Sequence, residues 1–431
     1  MTALPLPTTR DAALALDAAD PLRGLRDQFE IPPGLIYLDG NSLGVLPRAT
    51  AARVQQVVQD EWGRGLIGSW NQAGWMALPQ RVGDKIARLV GAGAGQLVCA
   101  DSTSVNLFKV LAAALAIAAA DAPAARAIVS ERSNFPTDLY IAEALARERG
   151  CTLELAEADE LPARLARGGV AVLMLTHVNY RTGRMHDMAA LSQAAHAAGA
   201  LVIWDLAHSA GAVPVDLLRD GADFSVGCGY KYLNGGPGAP AFVWAHPRHA
   251  DRFWQPLAGW MGHAAPFEFN PGYRPAVGIS RYLCGTPAVL AMSALECGVD
   301  SVLAAEAFGG MAALRAKSLA LTDSFAGLVA ARCGGHGLRL VSPQAAAQRG
   351  SQVCLARDEG AYAIVQALIA RGVVGDFRAG DGAALPDILR FGFTPLYTRF
   401  VDAWDAVEHL RQVLASGEWH EPRFNQRHAV T

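Results

Sequence analysis

Between residues 127 and 244 short apolar runs alternate with stretches of helical spacing. Ala127–Ser130 is a brief apolar run, followed by a helical stretch through Ala146. Thr152–Ala156 has strand character, and the strongly apolar Val170–Thr176 leads into helical Met188–Ala198. Leu201–Asp205, Asp223–Gly227 and Ala239–Trp244 complete the series. Apolar runs of this kind suit strands buried on both faces, and helices between them are the crossovers that keep such strands parallel. The pattern predicts an α/β fold with a mostly parallel sheet covered on both sides. In such sheets ligands bind beyond the carboxyl ends of the strands, so the residues just after each run are the ones to read for chemistry.

After about Val302 the texture changes. Helical Met311–Leu328 is followed by strand-like Leu338–Ser342 and Gln352–Ala356, helical Tyr362–Arg371, the run Ile388–Phe393 and helical Phe400–Leu414. That order predicts a smaller α+β unit. At 431 residues the chain is too long for one ordinary domain. The expected division is an N-terminal arm over 1–50, a large domain over 51–305 and a small C-terminal domain over 306–431 that packs with the arm. The boundary is expected inside a long helix near Met292–Glu306.

Composition removes several classes. Lys and Arg number 37 against 40 Asp and Glu, a net −3 without a basic run, so a nucleic-acid partner has no electrostatic support. The Ala-rich Val110–Ala120 is short for a bilayer span and suits a buried helix. Met1–Arg10 lacks the basic-then-apolar order of a signal peptide. The 7 cysteines are odd in number and scattered, which reads as thiols in a reducing cytosol. No His, Cys and Asp cluster has metal-ligand spacing. Gly91-Ala-Gly-Ala-Gly95 follows helical Arg81–Val90 and reads as a helix C-cap and turn, not a dinucleotide loop. His246 and His249 stand in a polar stretch and read as surface residues.

Four segments carry candidate chemistry. In Cys228-Gly-Tyr-Lys-Tyr-Leu-Asn-Gly-Gly-Pro-Gly238 one lysine follows an apolar strand and precedes a glycine-rich turn. A lysine that holds an aldehyde as a Schiff base needs a rigid strand end, a desolvated amine and glycines that admit the cofactor closely. In Val202-Ile-Trp-Asp-Leu-Ala-His-Ser-Ala-Gly211, Asp205 ends a buried strand and His208 follows three residues on. Asp205 is either an N-cap or the carboxylate that keeps a pyridine nitrogen protonated. Its placement one strand before Lys231 favours the second and points to pyridoxal phosphate. Asp101-Ser-Thr-Ser-Val-Asn-Leu-Phe108 opens the Ala-rich helix, where Thr103 and Ser104 either cap the helix or hold a phosphate. Ser133-Asn-Phe-Pro-Thr-Asp138 offers Phe135 to stack on a ring and Asp138 as a second carboxylate, or else is a Pro-containing turn.

Taken together and in order, these segments resemble the aminotransferase-like, fold type I enzymes of pyridoxal phosphate, and within them the kynureninase family. Five stretches carry the resemblance: Leu38-Asp-Gly-Asn-Ser-Leu-Gly44, Asn134-Phe-Pro-Thr-Asp138, Gly229-Tyr-Lys-Tyr-Leu-Asn234, Gly259-Trp-Met-Gly-His263 and Arg390-Phe-Gly-Phe-Thr-Pro-Leu-Tyr397. It spans nearly the whole chain. It implies that Thr103 and Ser104 bind the cofactor phosphate, that Phe135, Pro136, Thr137 and Asp138 lie at the ring, and that Asp205 faces its nitrogen with His208 close by. Lys231 is then the Schiff-base lysine, Tyr230 a phosphate contact and proton donor, and Thr176 part of the pocket wall. Trp260 and Thr286 reach the site from the partner subunit of a homodimer, and Arg390 pairs with the substrate α-carboxylate. The implied reaction is hydrolytic cleavage of L-kynurenine to anthranilate and L-alanine. Thr286 and Gly285 stand where some relatives have asparagine and serine, which leaves open a preference for the 3-hydroxylated substrate. A cysteine or selenocysteine lyase is the alternative; Cys333 is its nearest sulfur acceptor, and Gly-Tyr-Lys stands where a Ser-His-Lys would be expected.

Overall fold

The computed structural model describes residues 6–382 and 385–427. In chain order the strands are β1 (Ile36–Tyr37), β2 (Leu97–Ala100), β3 (Ala127–Glu131), β4 (Thr152–Ala156), β5 (Val170–Thr176), β6 (Leu201–Asp205), β7 (Phe224–Gly227), β8 (Ala241–Ala245), β9 (Arg339–Leu340), β10 (Gln352–Ala356), β11 (Val373–Val374), β12 (Asp376–Arg378) and β13 (Ile388–Gly392). Seven form one sheet in the order β2-β8-β7-β6-β5-β3-β4. Only β8 runs against its neighbours. The α/β expectation therefore holds, with crossover helices Pro136–Arg149 and Met188–Ala197 between parallel strands.

The sheet is buried on both faces, as its continuous apolar strands require. One face packs Trp204, Phe242 and Trp244 with helix Leu78–Val90. The other packs Ile203, Phe224 and Val243 with the Ala-rich helix Thr103–Asp121. Truncating either fully buried tryptophan, Trp204 or Trp244, to alanine would cost about 3–5 kcal/mol. Thr103–Asp121 is long and apolar enough to cross a membrane by length and composition, and its apolar residues are buried in this core. Gly91 ends helix Leu78–Val90 at φ 65, the left-handed cap expected for that glycine run. The last strand of the series starts at Ala241 instead of Ala239, after Pro240, which has no N–H to give a ladder.

The second half builds an antiparallel sheet, β12-β13-β10-β9, against helices Gly310–Arg332, Ala361–Ala370 and Phe400–Ser416. The expected strand Leu338–Ser342 shrinks to the exposed pair of β9, which meets β10 alone. The chain turns by 91° between Val289–Phe308 and Gly310–Arg332, at Gly309 and Gly310, both with positive φ. The N-terminal segment crosses to this side. Its β1 pairs in parallel with β11, Leu38 accepts from the Gly392 N–H at 2.7 Å, and helix Arg10–Ala19 packs on Phe400–Ser416.

Candidate active site

The carboxyl ends of the central parallel strands converge on Lys231. A small cavity there is lined by Thr103, Ser104, Phe135, Thr137, Asp138, Thr176, Tyr180, Asp205, Ala207, His208, Tyr230 and Lys231. Thr176 and Asp205 end the paired strands β5 and β6 directly opposite each other. Lys231 lies in the turn that follows β7, the next strand over. Close packing holds that turn. The Gly44 N–H donates to the Tyr230 carbonyl at 2.8 Å, and a Cβ on Gly44 would lie 2.4 Å from the Lys231 carbonyl oxygen. The Leu38–Gly44 motif thus braces the lysine loop from the N-terminal segment.

Hydrogen bonds orient His208. Gln352 on β10 gives both amide hydrogens to carbonyls, of Asn179 (3.2 Å) and Tyr180 (3.1 Å), which leaves its Oε1 to accept from His208 Nδ1 at 3.2 Å. His208 Nε2 then turns its lone pair to Lys231 Nζ, 3.1 Å away. Burial, with Lys231 next in importance, holds the imidazole well below its usual pKa and therefore neutral. Asp138 and Asp205 are both buried. Burial and then the Asp205 charge hold Asp138 well above the usual carboxylate range, while burial also raises Asp205 against the pull of Lys231. The contact between the two carboxyls raises Asp138 and lowers Asp205, so Asp138 keeps the shared proton and Asp205 the charge. Asp138 Oδ2 is buried and has no hydrogen-bond partner among the described residues.

Ser102 is the N-cap, its side chain accepting from the Val105 N–H at 3.3 Å, so Thr103 and Ser104 stand at the helix N-terminus with that duty already met. Asp101, at φ 47, pairs with the fully buried Lys109, which also donates to the Tyr282 carbonyl at 2.6 Å. Pro136 occupies the first turn of helix Pro136–Arg149. Phe135 is 43% exposed and meets Tyr180 edge-on at 5.3 Å. Tyr230 lines the cavity, and burial pushes its hydroxyl pKa upward.

The other expected residues stand apart from Lys231. Thr286 lines an adjoining cavity of about 450 Å³, which shares Thr103 and Tyr230 with the first. Trp260 lines neither; it packs edge-on against Trp70 at 5.6 Å. Arg390 is buried on β13 and already engaged. Its Nε donates to Asp376 Oδ1 (2.7 Å), Nη2 to Ser42 Oγ (2.8 Å) and Asp376 Oδ2, and Nη1 to the Tyr180 carbonyl (2.8 Å). Asp39, Ser42, Tyr180, Gln352, Asp376 and Arg378 were not singled out from the sequence. Asp39 and Ser42 lie inside the Leu38–Gly44 motif, the one signal that could have found them. One reading needs correction: His249 is a buried residue, stacked on Phe224, with Nε2 2.8 Å from Asp223 Oδ1. The buried Asp223 carboxylate draws in its polar neighbours, including His196 and Arg248.

The parallel sheet with a lysine, a carboxylate and a helix N-terminus at its carboxyl edge defines the aminotransferase-like fold of type I. Solved structures agree. An apo cysteine desulfurase from Thermococcus onnurineus NA1 superposes with a TM-score of 0.76 at 18% identity, over 91% of this chain and 98% of that one. A mutant of C-DES with glycine covalently linked to the PLP cofactor superposes at 0.74, also at 18% identity, over 90% and 98%. The sequence narrows the class. Residues 314–410 match the kynureninase C-terminal domain, and a kynureninase of Burkholderia pseudomallei (strain 1106a) is 57% identical over 98% of this chain and 100% of its own length. The chain belongs to the kynureninase family.

Proposed function

We propose that this chain hydrolyses the Cβ–Cγ bond of L-kynurenine, or of its 3-hydroxylated form, releasing anthranilate or 3-hydroxyanthranilate and L-alanine, a step of tryptophan catabolism. The observation that carries the reading is full-length similarity to a kynureninase at 57% identity, joined to a lysine, two carboxylates and a neutral imidazole in one cavity.

The cofactor is pyridoxal 5'-phosphate, and the residues fit it. Lys231 Nζ, hydrogen-bonded to the neutral His208, would take the aldehyde, and Asp205 keeps the charge that a protonated pyridine nitrogen would need. Thr103 and Ser104 offer hydroxyls at a helix N-terminus for the phosphate. The unpartnered Asp138 Oδ2 is a buried polar atom awaiting a ligand. When bound, the cofactor supplies an electron sink for a carbanion at the substrate α-carbon. The chain's own residues do the rest. Thr137, Thr176 and Phe135 would line the ring, with His208 beside Lys231. Lys231 Nζ, with the cofactor bound, would take the α-proton. Tyr230 donates a proton to the β-carbon as alanine forms. Burial makes that hydroxyl a weak acid, so its proton stays in place until a strong base develops beside it. Arg390 receives the α-carboxylate.

The active form is proposed to be a cytoplasmic homodimer in which Trp260 and Thr286 complete the partner's site. Support comes from exposed apolar side chains, among them Trp62, Ile67, Phe267, Phe269 and Val277, which a partner would cover. The separate cores of the two large sheets support the division into an arm (1–50), a large domain (51–305) and a small domain (306–431). A sulfur-transfer reading finds no support at Cys333, which is 3% exposed and whose thiol burial pushes up to about 11. The test is incubation of the cofactor-loaded protein with L-kynurenine, following fluorescent anthranilate and alanine. Absence of both products overturns the assignment.

A further inference from the structure

The register of the small sheet sets a second cation beside Arg390. Asp376 of β12 is the direct cross-strand partner of Arg390 on β13. Arg378 is two residues further along β12, and side chains two apart in a strand point to the same face. Both guanidinium groups therefore converge on the Asp376 carboxylate, Arg378 Nη2 at 2.7 Å from Oδ2 and Arg390 in a two-point contact. Ser42 closes the group from the N-terminal segment. Its hydroxyl donates to Asp376 Oδ2 at 2.6 Å and accepts from Arg390 at 2.8 Å and Arg378 at 3.3 Å.

Donor counting shows what this arrangement leaves over. Four hydrogen bonds occupy Arg390, which leaves a single N–H of its guanidinium. A carboxylate held at both oxygens needs a second donor. Arg390 is also sealed, its side chain 2% exposed, while that of Arg378 is 32% exposed. The Nε of Arg378 makes no hydrogen bond among the described residues, and its Nη1 holds the Phe377 carbonyl at 2.8 Å. Both arginines act electrostatically on His208, the imidazole that meets Lys231. Arg390 reaches that cavity through the carbonyl of Tyr180, one of its lining residues. With one carboxylate between two guanidiniums, the group carries an unbalanced positive charge that reaches His208.

We propose that Arg378 is a second substrate-binding residue, sharing the α-carboxylate of the amino acid with Arg390, and that Asp376 and Ser42 are positioning residues that fix the two guanidiniums as one receptor. This rests on the reading of the Lys231 cavity as the site of an amino-acid substrate. Arg390 alone then serves as the buried anchor, and Arg378 is the cation that meets the incoming carboxylate.

The cofactor-loaded protein and its Arg378→Gln and Arg378→Lys variants would be titrated with L-alanine and with ethylamine, the same amine without the carboxylate, following visible absorption. Arg378→Gln is expected to weaken L-alanine about 10- to 100-fold while leaving ethylamine within about twofold, the signature of a lost charge-assisted hydrogen bond. It is expected to raise KM for L-kynurenine with kcat nearly unchanged, because the carboxylate is bound equally before and during bond cleavage. Arg378→Lys should recover part of the L-alanine affinity. Unchanged L-alanine affinity in Arg378→Gln, or equal weakening of L-alanine and ethylamine, overturns the proposal. A parent protein that makes no anthranilate defeats the kynurenine reading instead, and the alanine–ethylamine comparison still decides the role of Arg378. Asp376→Asn should shift L-alanine in the same direction as Arg378→Gln; no shift removes the positioning role.

Discussion

Two pairs of carboxylates flank the proposed site, and they are neutralised by different means. Asp138 and Asp205 stand beside one lysine and a neutral histidine. Asp39 and Asp376 stand beside two arginines. In each pair burial and mutual repulsion push one member up: Asp138 in the first, and Asp39, to about 8, in the second. The cations make the difference. An amine can shed its proton within the working range when desolvated, whereas a guanidinium cannot. On the proposed reading the first pair surrounds the residue that moves the α-proton, and the second a fixed positive charge that can only bind. On that reading, proton transfer belongs to the first pair and anion recognition to the second.

The strongest way to break this contrast is at the lysine. Lys231→Ala should abolish the visible absorption of lysine-linked cofactor and lower anthranilate formation at least about a thousandfold. A persistent band in that variant would mean that Lys231 does not hold the cofactor. The polarity of the first pair comes next. Asp205→Asn should lower kcat by about 10²-fold or more, and Asp138→Asn, which can still donate to Asp205, by clearly less. Equal losses would mean that the pair is not polarised as described.

Asp223 supplies a control, since it is a buried carboxylate outside both pairs. Its side chain is fully buried and meets His196, His249 and Arg248. Against the penalty of burial, the hydrogen bonds from His196, His249 and Arg248 hold its pKa below the carboxylate range. A depressed folded-state value contributes stability above the unfolded carboxylate pKa of about 4, and that contribution fades as the pH falls below it. Asp223→Ala should cost about 3 kcal/mol, read as a lower denaturation midpoint at neutral pH, with a smaller loss in acid. A changed KM in the surviving folded protein would contradict its placement outside the site.

The smallest effect sharpens the second pair. Below about 8 Asp39 is neutral, so Arg390, Arg378 and Asp376 sum to one positive charge; above it Asp39 ionises and cancels that charge. The hydroxyls that face it, Tyr37, Tyr232 and Tyr397, are neutral there, since burial raises all three. KM for L-kynurenine should rise a few-fold more between pH 7 and 9 in the parent than in Asp39→Asn, whose side chain cannot ionise. Parallel profiles would remove Asp39 from the binding of the carboxylate.

How much was legible follows the same division. Asp205 and Lys231 could be read because each ends or follows an apolar run, and the sheet type alone says that such ends face ligands; Thr176 came only with the resemblance. Thr103 and Ser104 were ambiguous until Ser102 proved to be the cap. The arginine side was mostly hidden. The family resemblance pointed to Arg390, but its partner depends on the register between β12 and β13, a long-range property that no local pattern encodes. Ser42 meets Arg390 across 348 positions. His249 misled because its neighbours in sequence are polar, and its buried partner Asp223 lies 26 positions away.

The Gly44 contact against the lysine loop, and Ser42 just before it, have a consequence for assembly. The cofactor side of the site is made between Thr103 and Lys231, but its brace and its anion receptor join the N-terminal segment to residues near the end of the chain. Contacts between such distant positions close late, because the intervening chain must first lose its freedom. In refolding, binding of pyridoxal phosphate should recover before affinity for L-alanine does. During synthesis the same order would leave a nascent chain able to hold its cofactor before it can take an amino acid.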